Sequence, residues 1–135
     1  MHGRLLLAPL AVAAVATGVA ASPAAARTVT VTDQDSGDQV TVRPGDRIRI
    51  ELDANPSTGY HWEITRTPKR RVARVVSSTY VADPVDPGVV GSGGTQVTVL
   101  KARHRGRTML GMQYQPPGSG GSGSDFDLWI RVRVR

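Results

Sequence analysis

The chain has 135 residues, a formal net charge of +6 at neutral pH and no cysteine. Its length suits one domain with a single core once the first segment is set aside. The lack of cysteine excludes a disulfide framework, a lipid-modified cysteine and a thiol nucleophile.

Residues 1–26 read as an export signal. Arg4 supplies a short positive region, Leu5 to Ala16 is almost wholly apolar, and Ala24-Ala25-Ala26 offers a small-residue cleavage site before Arg27. The apolar run is shorter than the roughly 20 residues of a membrane-spanning helix, so no membrane insertion is expected after cleavage. The expected location is secreted or in the cell envelope. Residues 27–135 keep sixteen basic residues against eleven acidic ones, a net charge of +5. Only Lys69 and Lys101 are lysines; the arginine bias fits a skewed genomic base composition. A basic surface weakly favours acidic partners or anionic envelopes.

The mature region reads as strand after strand. Thr28–Thr32 alternates, Asp33–Asp38 is a polar turn, and Gln39–Val42 resumes extended structure. Arg43-Pro44-Gly45-Asp46 is a turn by its Pro-Gly pair. Asp46–Ala54 alternates Ile48, Ile50 and Leu52 with Arg47, Arg49 and Glu51; Gly59–Arg66 alternates Tyr60, Trp62 and Ile64 with His61, Glu63 and Thr65. Both have the period of two that marks half-buried strands. After the polar link Thr67–Arg71 come Val72–Ala82, a Pro/Gly-rich stretch over 83–94, and a strand over Thr95–Ala102 whose phase is split between Val97/Val99 and Leu100/Ala102. A basic turn, Arg103–Arg107, precedes Thr108–Gln115, with Leu110, Met112 and Tyr114 in phase. Pro116-Pro117 stops that strand, Gly118–Ser124 holds only Gly and Ser, and Asp125–Val134 closes the chain with Leu128, Ile130 and Val132 inward.

About seven or eight short antiparallel strands, with turn signals every 8–12 residues or so, predict an all-β, immunoglobulin-like β-sandwich without a disulfide. Trp62, Ile48, Ile50, Leu52, Leu110, Met112, Tyr114, Leu128, Ile130 and Val132 are its expected core. Strand parity then places three connections at one end: Asn55–Gly59, Asp83–Gly94 and Pro116–Ser124. The other end receives the plain, basic turns. Loops with special backbone chemistry gathered at one end suggest a binding edge.

Those loops carry recognisable motifs. Asn55-Pro56-Ser57-Thr58-Gly59-Tyr60, with Trp62 beyond it, and Gly91-Ser92-Gly93-Gly94 followed by Thr95, resemble in order and spacing the chagasin-type inhibitors of papain-like cysteine proteases. The resemblance covers essentially all of residues 27–135. The third family motif, Arg-Pro-Trp or Arg-Pro-Phe, is met only by Pro116-Pro117-Gly118: the proline is kept, the arginine and the aromatic are gone. The resemblance implies a monomeric, reversible inhibitor that fills the cleft of a papain-like protease with these three loops, and it implies weaker binding than in relatives with the full third motif. The alternative from another class is an immunoglobulin-like surface or adhesion module that has lost inhibition.

Other functions find little support. No catalytic residue, cofactor or metal site is expected: His61 and His104 are single histidines, Asp83 and Asp86 flank turn-forming prolines, and no cluster has metal-ligand spacing. Nucleic acid is not an expected partner, because no aromatics are interleaved with Lys69-Arg70-Arg71 or with Arg103–Arg107.

Overall fold

A computed structural model describes Gly18, residues 24–118 and residues 126–135. The proposed export signal over residues 1–26 lies almost wholly outside the described residues, and so does the Gly/Ser stretch beyond Gly118. Eight strands are present among the described residues: β1 (Thr28–Val31), β2 (Gln39–Val42), β3 (Arg47–Ala54), β4 (His61–Arg66), β5 (Ala73–Ala82), β6 (Gly94–Ala102), β7 (Gly106–Gln115) and β8 (Phe126–Val134). They form two four-stranded sheets, ordered β1-β3-β6-β5 and β2-β8-β7-β4. The all-β sandwich expected from the alternating pattern is the observed fold.

The alternation sets the core. Along β3, Ile48, Ile50, Leu52 and Ala54 are buried, while Arg47, Arg49 and Asp53 are exposed. From the second sheet Leu110, Met112, Leu128, Ile130 and Val132 meet Ile48, Ile50 and Leu52 in one cluster. Each such side chain contributes roughly 1.5–3 kcal/mol by leaving water, so the frame that carries the loops is stiff. Trp62 is only half-buried and packs against the cluster, and Tyr114 is half-buried as well. The split phase of β6 resolves in favour of Leu100 and Ala102, which join the core with buried Thr98 on the same face. Thr98 keeps a partner there, the Ser78 hydroxyl at 2.9 Å.

One detail of pairing departs from the all-antiparallel expectation. β1 pairs with β3 in parallel, and β2 pairs with β8 in parallel. The first extended stretch is two strands in two sheets. Thr32–Asp35 makes the handover: the Thr32 N–H donates to Asp35 Oδ2 at 2.8 Å around a single 3₁₀ turn, and the Gly37 N–H donates to the Trp129 carbonyl of the second sheet. β1 therefore runs up one sheet and β2 down the other. From β3 to β8 the strands still alternate in direction, so the parity of the later loops survives.

Register fixes which loops share an end. Ala54 pairs with Gly94 and Gly94 with Ala82, while His61 pairs with Gln115 and Tyr114 with Phe126. This brings the β3–β4, β5–β6 and β7–β8 connections together. At the opposite end Arg47 pairs with Lys101, Ala73 with Ala102 and Gly106 with Val134. No helix among the described residues is long and apolar enough to cross a membrane.

Candidate functional site

The first loop is built around Asn55. Pro56 opens a single 3₁₀ turn, Pro56–Thr58, and Gly59 ends it in the left-handed region at φ 83°. The Asn55 carbonyl accepts from the Thr58 N–H at 3.2 Å and from the Thr58 hydroxyl at 2.6 Å. The Gly59 N–H donates to the Pro56 carbonyl at 3.0 Å, and the Ser57 hydroxyl donates to Asn55 Oδ1. These bonds satisfy the turn from within, which leaves Pro56, Ser57, Thr58 and Gly59 exposed in a fixed shape.

Two further bonds tie that loop to its surroundings. Asn55 Nδ2 donates to the Gly91 carbonyl at 3.1 Å, linking the first loop to the second. The Asn55 N–H donates to the Tyr114 hydroxyl at 2.9 Å, linking it to the frame. Pro117 completes the set, since a Cβ on Gly59 would stand 3.0 Å from its Cγ. Asn55–Tyr60, Gly91–Gly94 and Pro116–Gly118 are thus neighbours, as parity required.

Tyr114 also anchors an aromatic ladder. Its ring centroid lies 5.2 Å from Tyr60 and 5.0 Å from Trp62, both in tilted geometry. Trp62 Nε1 donates to the Asp53 carbonyl at 2.9 Å, at the root of the first loop. The pillar role of Tyr114 was not read from the sequence, although Tyr60, Trp62 and Tyr114 share an inward phase there. Its hydroxyl reaches a backbone 59 positions away, and only the β4–β7 register shows it.

The four residues of Gly91–Gly94 divide by role. Gly91 is exposed with φ 77°, and Ser92 and Gly93 are half-buried. Gly94 is buried at the start of β6, where a Cβ would come within 2.2 Å of the Val81 carbonyl. Its missing side chain serves the sheet. Gly93 is tight for a similar reason, its Cβ position being 3.1 Å from the Ala54 carbonyl. The backbone freedom of this motif therefore brings β3 and β5 close around β6 as well as shaping the exposed tip at Gly91.

Beside the loops an open cleft of ≈ 630 Å³ is lined by Trp62, Tyr114 and four aspartates, Asp33, Asp53, Asp83 and Asp127. The loop end is acidic, a feature composition concealed under a net positive chain. Pro116 is half-buried, and Pro117 and Gly118 are exposed.

Residues 41–130 match the family described as Chagasin family peptidase inhibitor I42. The chain belongs to the chagasin family of peptidase inhibitors. It is 28% identical over 109 residues to Amoebiasin-1 of Entamoeba histolytica, covering 79% of this chain and 100% of that protein. It is 28% identical over 95 residues to Chagasin of Trypanosoma cruzi, covering 68% of this chain and 84% of that protein. Its fold matches the crystal structure of the cysteine protease inhibitor EhICP2 from Entamoeba histolytica with a TM-score of 0.72 at 26% identity, over 84% of this chain and 100% of that one. Members of the family are protease inhibitors, not enzymes.

Proposed function

We propose that the protein is an exported, reversible inhibitor of papain-family cysteine proteases, acting as a monomer outside the cytoplasm by inserting three loops into the active-site cleft. The observation that carries this reading is the internally bonded first loop. Asn55 uses its backbone and its side chain to hold a turn whose tip, Pro56–Gly59, projects to solvent. A tip held this way loses little conformational entropy on binding. A curved, rigid backbone fills a cleft without presenting a carbonyl in line with a nucleophile, so it resists cleavage.

In this reading Asn55, Pro56, Ser57, Thr58, Gly59 and Tyr60 sit over the catalytic cysteine of the target. Gly91, Ser92, Gly93 and Gly94 line one wall of the cleft, with Gly91 at the contact and Gly94 as its support. Pro116, Pro117 and Gly118 face the other wall. An arginine and an aromatic at the third loop would act as binding anchors, and this chain offers neither. The test is the inhibition constant against papain and a cathepsin, with the size of the complex measured by light scattering. Inhibition through a one-to-one complex supports the reading. No inhibition of any papain-like enzyme favours the immunoglobulin-like surface module.

A further inference from the structure

The sandwich is sorted by charge along its length. Asp33, Asp53, Asp83 and Asp127 stand around the loop-end cleft, and Asp86 lies in the β5–β6 loop. The opposite end carries Arg43, the Lys69–Arg71 run and the Arg103–Arg107 turn, tied together by Arg103 Nη1 donating to the Arg70 carbonyl at 3.1 Å. The carboxylate built into that end, Asp46, is buried and already paired with Arg27. A skewed base composition can favour arginine over lysine along a whole chain. It does not sort cations to one end.

The strands next to this end show a second, independent feature. Arg47 pairs directly with Lys101, and Lys101 with Arg74, so three exposed cations form a row across β3, β6 and β5. On the other sheet Arg107 pairs directly with Arg133, both exposed. Like charges placed opposite one another across strands are destabilising. Here three such pairs fall in the same half of the molecule, and none of the five side chains has an acidic partner: among the described residues the ion pairs are Arg27–Asp46 and Arg49–Glu51. The two rows lie on opposite outer faces of the sandwich, joined over its end by the Arg43, Lys69–Arg71 and Arg103–Arg107 turns, so only a flexible anion passing over that end would reach both and relieve the repulsion.

We infer that the basic end, with the rows Arg47–Lys101–Arg74 and Arg107–Arg133, is a docking surface for a linear, phosphate-bearing polyanion. Arginine forks bind phosphate oxygens in pairs, and a flexible chain with a charge on every unit can meet the cations on both outer faces as it passes over the end. Of the large exposed apolar side chains, Val81, Val85, Val89 and Val90 lie at the far end of β5 and in the loop after it; Val76 alone stands beside the basic row, two residues from Arg74. A lipid bilayer would find one valine there to bury. The tyrosines and Trp62 sit toward the loop end, and Trp129, on the outer face of β8 with Arg131 and Arg133, lies half-buried over Gly111, so successive bases would find no series of platforms. Docking by this end leaves the three loops free, and the polymer and a protease can bind together.

Long-chain inorganic polyphosphate, fluorescently labelled at one end, is the probe. Expected are saturable binding near physiological salt and affinity falling with salt at a log–log slope of about 0.7 for each phosphate contact. The combined Arg47→Gln, Arg74→Gln, Lys101→Gln, Arg107→Gln and Arg133→Gln variant should bind at least tenfold more weakly with a shallower slope. Its thermal midpoint should hold or rise as repulsion is removed, and inhibition of papain should not change. If that variant fails to fold, the Arg107→Gln, Arg133→Gln pair alone should still show the shallower slope. Three results overturn the proposal: no saturable polyphosphate binding, equal binding by wild type and a folded variant, or binding only to phosphatidylglycerol vesicles. Because inhibition is read separately, loss of one activity is distinguishable from absence of the other.

Discussion

The two ends of this sandwich reverse the same strands by different means. At the loop end the turns bond to themselves and to one another, and their tips stay in water: Asn55 accepts from Thr58, donates to Gly91 and leaves Thr58 exposed. At the basic end a buried carboxylate is the clasp. Asp46 accepts from the N–H groups of Arg43 and Arg27 at 2.9 and 3.1 Å, and its carbonyl accepts from the Ala102 N–H at 2.9 Å. One end holds a shape for presentation; the other closes the fold. The difference teaches that substitutions at the first should change binding while sparing stability, and that Asp46 should do the reverse.

The sharpest break of that division is at the first loop. Thr58→Arg places a long charged side chain on an exposed tip, outside the core. A bulky charged side chain forced into the centre of the cleft both clashes and buries an unpaired charge, which should cost at least the ~2 kcal/mol of a lost hot spot, so inhibition of a papain-like enzyme should fall about thirtyfold or more. Circular dichroism should show an unchanged fold. A folded variant with undiminished inhibition would remove the first loop from the interface.

The third loop offers the converse gain. Pro116→Arg with Gly118→Trp restores the side chains that the family motif carries. Their anchors alone would contribute about 2 kcal/mol or more. Gly118, however, has φ 71°, where a side chain is strained by roughly 1–2 kcal/mol. The net expectation is about fivefold tighter inhibition rather than thirtyfold. Comparing inhibition constants for Pro116→Arg alone and the double variant separates the charge from the strained aromatic.

How much of this was legible in the sequence follows from range. Period-two alternation along β3 and β8 is local, and it revealed strands, faces and most of the core. The first-loop motif was equally local. The handover of β1 and β2 between sheets was hidden, because Asp33–Asp38 reads as the same polar turn whether the chain folds back in one sheet or crosses to the other. Trp62 and Tyr114 looked like interior residues by phase, but their place near the open end of the sandwich leaves them half-exposed. Asp46 gave no signal, since one of its partners, Arg27, stands 19 positions earlier. The acidic cleft was invisible for a similar reason: its four aspartates come from separate stretches of the chain.

A smaller effect joins the loop end to its frame. Tyr114→Phe keeps the ring between Tyr60 and Trp62 and removes only the hydroxyl that accepts from the Asn55 N–H. One such bond contributes about 1 kcal/mol. Inhibition should weaken about threefold to fivefold, and the thermal midpoint should drop slightly. If inhibition is unchanged while the midpoint falls, the bond holds the frame and does not order the loop.

The smallest effect on inhibition is expected from Asp46, and there the two ends should separate fully. The N–H groups of Arg43 and then Arg27, with the Arg27 guanidinium at 3.4 Å, hold the Asp46 carboxyl below its ordinary value of 3.8. A carboxyl whose folded value is depressed binds protons more readily in the unfolded chain. Its stabilisation is therefore complete above the ordinary value and is lost as pH falls below 3.8 toward the folded one. Asp46→Asn keeps the shape, but its amide can accept through one oxygen only, so it cannot serve both N–H groups alike. The variant should melt at a lower temperature at neutral pH, and the gap from wild type should close as the solution is acidified. Inhibition at neutral pH should match wild type, because the clasp lies at the far end from the loops. Melting curves across that acid range, paired with neutral-pH inhibition constants, check both halves. A gap that persists undiminished in strong acid would show that the Asp46 charge is not what closes this end, and a loss of inhibition in the folded variant would show that the two ends are coupled through the sheets.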